Sequence, residues 1–248
     1  AEGGYSLELI DPNNPCEGAR NWRASNAPGG GTPGLQNSVY GSNPDTTLPD
    51  LLRAEVINPT TVQLFFTETL NRQSATDVTQ YTISNGIGNP AAAFVPLTDF
   101  KTVALTLATP LAQNTLYTLS VGTQVTDCAG NPVSALYRQA PLGIAYPPQP
   151  NDLVINEILF NPQTGGSDYV ELYNKTDKVI SLNGWYIANT QTDAPDALTN
   201  HTLLTTEPYS LHPDSYVALT PNIDDIFMRY GNCGTLLQPN RFIKTALP

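Results

Sequence analysis

An all-β chain of immunoglobulin-like β-sandwich modules in tandem is the fold class this sequence predicts, and three observations predict it. Apolar and polar residues alternate over short stretches: Val62, Leu64 and Phe66, then Val103, Leu105 and Leu107, then Tyr117, Leu119 and Val121. A period of two puts one strand face in a core and the other in solvent. Turn formers separate these stretches at regular intervals, at Asn58-Pro59, Asn85-Gly86, Gly88-Asn89-Pro90, Gln113-Asn114 and Ala129-Gly130-Asn131-Pro132. The length of 248 residues exceeds one small sandwich and suits two of roughly 100 residues with a remainder.

Composition points the same way. Charged residues make up 13% of the chain, against the usual ~25%. Thr, Asn, Ser, Gln, Gly and 22 prolines take their place, a composition of short strands and turns that is frequent in exported bacterial β proteins. An extracellular or cell-surface location is therefore expected. Eleven basic residues face 22 acidic ones, for a net charge of -11, and no run of Lys and Arg could follow a phosphate backbone. Nucleic acid is not expected as a partner. Membrane insertion is not expected either, because no apolar run approaches the roughly 20 residues of a spanning helix. Ala1 to Gly4 carries no signal-peptide pattern, so any export signal or anchor is expected outside this chain.

Two proline-rich joints divide the sequence. One runs from Gly41-Ser42-Asn43-Pro44 to Leu48-Pro49, and the other from Pro141 to Pro150, where Pro147-Pro148-Gln149-Pro150 cannot continue a strand ladder. Between them, Val62 to Glu68, Leu116 to Val121 and the turn Val125-Thr126-Asp127-Cys128-Ala129-Gly130-Asn131 follow in an order that resembles a bacterial immunoglobulin-like domain of the S-layer and surface-protein type.

The flanks resemble a second family. Leu153 to Pro162, Asp168 to Asn174, Ile180 to Ile187 and Leu211 to Thr220 look like the opening of a lamin-tail domain. Gly4 to Pro12, Asn21 to Ser25 and Gly31 to Ser38 resemble the closing part of the same family. The implied organisation is a closing lamin-tail part plus linker over 1–47, a bacterial Ig-like domain over 48–147 and an opening lamin-tail part over 148–248. The strands that this family places between those two parts are missing. The chain is then either a slice of a longer alternating array, or its halves meet, within one chain or between neighbours, as a composite sandwich. A half sandwich exposes ladder edges and an apolar face, and strand addition between subunits would cover them.

The residues offer little catalytic chemistry. Glu157 and Glu171 are paired carboxylates inside apolar strands, but both occupy positions that the lamin-tail pattern carries, so bonding or solvent exposure is preferred to acid–base work. His201 and His212 lack a nucleophile elbow or a metal motif and read as loop and strand-edge residues. Trp22 and Trp185 read as core or rim packing rather than sugar platforms, and no one of the 12 tyrosines can be singled out. No cofactor is expected. Calcium is the one ion that Asp127 to Asn131 and Asp224-Asp225 could suit, although Asp127 reads better as an Asx-type turn. Asn174 and Asn200 begin Asn-x-Thr sequons.

Of the three cysteines, the lamin-tail resemblance implies that Cys16 and Cys233 belong to the two kinds of position that pair in a finished sandwich, leaving Cys128 as the odd thiol. The expected function is a non-enzymatic structural or adhesive module of a long secreted or surface protein. Its expected partners are neighbouring modules or copies of itself, with a surface glycan or protein ligand left open. The alternative is an accessory domain of a secreted hydrolase.

Overall fold

The structure, a computed structural model, describes residues 4–14, 18–191, 194–231 and 241–248, and the side chains of 191 and 194–196 lie outside the description. It begins with a small antiparallel ribbon, β1 (Leu7–Leu9) and β2 (Trp22–Ala24), joined through a 3-10 turn over Gly18–Asn21. Polar bonds rather than an apolar core hold this segment. Glu8 is buried and accepts from the Ser38 backbone N–H, the Ser38 hydroxyl and the Thr32 hydroxyl, while Asn43 N–H donates to Asp11 Oδ2 and ties in the first joint.

A sandwich follows. Its first sheet takes the order β3-β4-β7-β6, from β3 (Leu51–Asn58), β4 (Thr61–Phe66), β6 (Ala92–Phe94) and β7 (Thr102–Thr106). Its second takes the order β5-β8-β9, from β5 (Tyr81–Ile83), β8 (Tyr117–Val121) and β9 (Gln139–Leu142). One turn of helix, α1 (Arg72–Ala75), is capped by Asn71, whose side chain accepts from Ser74 N–H. The alternating residues meet in one core: Val62, Leu64 and Phe66 from β4, Val103 and Leu105 from β7, and Tyr117, Leu119 and Val121 from β8. Asn85 and Gly86, at φ of 54° and 80°, make the left-handed turn their residue types favour. The strand β9 runs through Pro141 into the stretch read as the second joint. It can do so because β9 is an edge strand, where the missing proline N–H leaves no ladder bond unmade.

The C-terminal unit carries a four-stranded sheet of order β10-β11-β16-β17, from β10 (Leu153–Leu159), β11 (Tyr169–Asn174), β16 (Tyr216–Thr220) and β17 (Phe242–Lys244). Two pairs complete it, β12 (Ile180–Ser181) with β15 (Ser210–Leu211) and β13 (Tyr186–Gln191) with β14 (Ala194–Leu203). Val170, Leu172, Leu182, Leu204, Tyr209, Leu211, Val217 and Leu219 form its core. Two features set this unit apart from a sandwich of antiparallel strands alone: β17 runs parallel to β16, and a two-turn helix, α2 (Ile223–Tyr230), crosses the outer face of the sheet. The helix packs Ile226 against Ala218 and Phe242, with Ile223, Phe227 and Tyr230 beside them.

Candidate functional site

The two sandwiches meet at Arg53. On β3, Arg53 and Glu55 point away from the core on the solvent-facing side of the alternation, yet Glu55 is only 2% exposed because the β14–β15 connection covers it. Glu55 Oε1 accepts from Ser210 N–H at 3.1 Å and lies 3.6 Å from Arg53 Nε. Arg53 also reaches Glu207 at 2.8 Å and stacks 3.8 Å above the Phe65 ring. Burial raises the Glu55 carboxyl above its ordinary pKa, and the Ser210 bonds and Arg53 offset that only in part. The linker is fastened too: Tyr146 N–H donates to Val179 O, and Ser181 N–H donates to Tyr146 O. These contacts clamp the joint on both sides of the linker.

At the two ends of the chain, apolar faces stand exposed. In the ribbon, Leu7 pairs with Ala24 and Leu9 with Trp22, so one face is apolar and the other carries Glu8. Leu7 is 68% and Trp22 49% exposed, with Tyr5 beside them. In the C-terminal sheet, Ile155 pairs with Leu172 and Ile158 with Val170. Those partners belong to the core, so Ile155 and Ile158 lie on the core-facing side of β10, where they remain 57% and 54% exposed. Phe160 follows at 82%, and β10 is the terminal strand of its sheet. A sandwich layer is thus present under β11 and β16 and lacking under β10 among the described residues.

The outer face of that sheet holds the two strand glutamates as cross-strand neighbours. Tyr169 OH donates to Glu157 Oε1, and Asn156 Nδ2 donates to Glu171 Oε1 at 2.7 Å. Both carboxylates open onto a cleft of about 550 Å³. Its tyrosines, Tyr169, Tyr216 and Tyr230, are the ones the sequence could not single out.

The remaining residues separate. His201 is exposed on β14, whereas His212 follows β15 in the joint, with burial pushing its pKa down to about 4. Neither tryptophan lies in a core, Trp185 being 40% exposed. Asp127 is buried and accepts from Asn131 N–H at 2.7 Å and from Asn131 Nδ2, a closed turn. Asp224 and Asp225 sit in the first turn of α2, where acidic groups suit the helix dipole, and Asp225 also pairs with Arg229 at 2.7 Å. Among the described residues, no three His, Cys, Asp or Glu gather as metal ligands. Asn174 is fully buried, its amide donating to Lys178 O, Leu211 O and His212 O, so this sequon asparagine is closed to modification in the folded chain. Cys16 and Cys233 lie outside the described residues. Cys128 is disulfide-bonded, which corrects the expectation that it is the odd thiol.

No helix among the described residues is long and apolar enough to cross a membrane. No curated protein matches the chain. Among solved structures, the S-layer protein rSbsC(31-844) superposes with a TM-score of 0.36 at 12% identity, over 70% of this chain and 32% of its own. The N-terminal part of the bacterial S-layer protein SbsC gives 0.35 at 13% identity, over 68% and 45%. This chain spans about a third of the first protein and under half of the second, and at these scores the likeness bears on neither fold nor function. Residues 45–141 match the family model of the Bacterial Ig-like domain and residues 147–240 that of the Lamin Tail Domain, neither a catalytic family.

Proposed function

We propose that this chain is a non-enzymatic structural and adhesive unit of a long secreted or cell-surface bacterial protein, organised as 1–47, 48–147 and 148–248, in which neighbours complete each other's split sandwich end to end. The observation that carries this reading is the pair of exposed apolar faces, one on the N-terminal ribbon and one under β10. The ribbon of one copy covers Ile155, Ile158 and Phe160 of the next. Because the two faces differ, the contact is heterologous and propagates as a chain of copies rather than closing as a two-fold dimer. The clamp at Arg53 supports the same reading, since a fixed angle between modules sets a fixed repeat. The two family matches support a scaffold and a surface location.

Magnitudes set the expected strength. Covering half-exposed side chains such as Leu7, Trp22, Ile155 and Ile158 is worth about 1 kcal/mol each, so the faces supply on the order of 5 kcal/mol. Association costs about 4–15 kcal/mol, and ladder bonds along the open β10 edge must contribute the rest. Weak, concentration-dependent assembly is the consequence. Sedimentation velocity from micromolar to millimolar chain tests it. A weight-average mass that climbs with concentration and falls to the monomer for Ile158→Asp supports the reading, and a monomer throughout refutes it.

A further inference from the structure

We propose that the cleft on the outer face of the C-terminal sheet binds a neutral saccharide. A single row crosses the sheet there: Glu157 pairs with Glu171, Glu171 with Ala218, and Ala218 with Phe242. Helix α2 covers the Phe242 end. The small Ala218 side chain leaves a trough of about 550 Å³ between the helix and the carboxylates, a volume in the usual range of ligand pockets.

The polar groups are set before any ligand arrives. A register shift between Ile155 and Glu157 brings Asn156 within reach of Glu171. Tyr169 holds Glu157 in the same way. One oxygen of each carboxylate is thereby fixed, and the other has no partner among the described residues. Two adjacent hydroxyl groups of a sugar could donate to these two oxygens. Arg241, on the same wall, supplies donors to hydroxyl oxygens that accept.

Rings provide the apolar half of the recognition. Tyr216 is stacked on Tyr173, with centroids 4.5 Å apart and planes at 21°, and Tyr169 meets Tyr230 edge-on at 6.0 Å. Rings packed in this way offer C–H-binding surface at little further entropic cost. The alternatives fit less well. Two carboxylates repel an anion, Arg241 disfavours an organic cation, and a hard metal ion lacks a third acidic ligand among the described residues. This site is independent of the proposed assembly, because Glu157 and Glu171 lie on the opposite sheet face from Ile155 and Ile158.

The test is isothermal titration of the full chain with three neutral probes, xylohexaose, cellohexaose and maltohexaose, and with tetramethylammonium as the cationic control. The expected result is millimolar or tighter binding of at least one oligosaccharide. Glu171→Gln and Tyr216→Ala should each weaken it about tenfold, with Ile158→Asp binding as the parent does. Should Tyr216→Ala fail to fold, Glu171→Gln decides alone. Binding by none of the three sugars, sugar binding indifferent to Glu171→Gln, or binding of the ammonium in their place would overturn the proposal.

Discussion

Arg53 and Glu207 meet at 2.8 Å although 154 residues separate them in sequence. The contact is the visible edge of a joint whose strength lies underneath. Glu207 is largely exposed, while Glu55 is almost fully buried, with Arg53 and Ser210 N–H as its partners.

Exposed and buried partners of one arginine should therefore differ in worth. Glu207→Ala is expected to cost under about 1 kcal/mol, as exposed ion pairs do. Arg53→Ala strands the buried Glu55 carboxylate and should cost about 3 kcal/mol. Thermal melts at pH 7 check the contrast; equal losses would show that Glu55 does not depend on Arg53.

His212 makes the joint sensitive to acid. Its Nδ1 is buried without a partner among the described residues, and burial holds its pKa at about 4. The folded pKa lies below the unfolded one, so this group's contribution is intact above pH 6.5 and shrinks as pH falls toward 4, by up to about 3 kcal/mol. The melting midpoint should fall over that window more steeply for the parent than for His212→Asn. Parallel curves would remove His212 from the explanation.

A lower window belongs to Glu8. Burial opposes its ionisation, but hydrogen bonds from Ser38, Thr32 and Ser25 outweigh it and hold the carboxyl at about 2. The folded pKa is depressed, so the ribbon is secured above about pH 4.5 and loosens as pH falls toward 2. Trp22 fluorescence in a Trp185→Phe background reports this directly. Its transition should move to higher pH when Ser38 is replaced by alanine, and an unmoved transition would place the restraint elsewhere.

The cysteines give a chemical check. Cys128 is disulfide-bonded, so peptide mapping under non-reducing conditions should recover the Cys128 peptide cross-linked and at most one free thiol per chain. A Cys16 to Cys233 link within one chain, with Cys128 free, would contradict the structure.

Much of this fold is legible in the sequence where burial and period coincide. Val62, Leu64, Val103, Leu105, Leu119 and Val121 alternate and are all buried, since each strand has one core to face. The signals for helix α2 are present in the sequence. Asn222 caps it, Asp224 and Asp225 lie in its first turn, and Ile223, Ile226, Phe227 and Tyr230 share one side, yet the acidic pair taken alone reads as oxygen ligands for calcium. The joint was not legible. Arg53 and Glu55 occupy the polar phase of β3, and only tertiary contact with Tyr209 and Ser210 turns that phase inward. The cleft was half legible: Glu157 and Glu171 stand out, but their shared row with Ala218 depends on registers between strands that a single sequence does not display.

End-to-end completion is the central claim, and complementation between two blocked variants tests it most directly. Leu7→Asp with Trp22→Asp spoils the ribbon face and leaves β10 intact, while Ile158→Asp with Phe160→Asp does the reverse. Each variant alone should sediment as a monomer at concentrations where the parent chain associates. Mixed, they retain one good ribbon and one good β10 face between them, and a one-to-one heterodimer that grows no further is the expected product. A mixture that stays monomeric while the parent associates, or either blocked variant still forming long assemblies alone, would contradict the account.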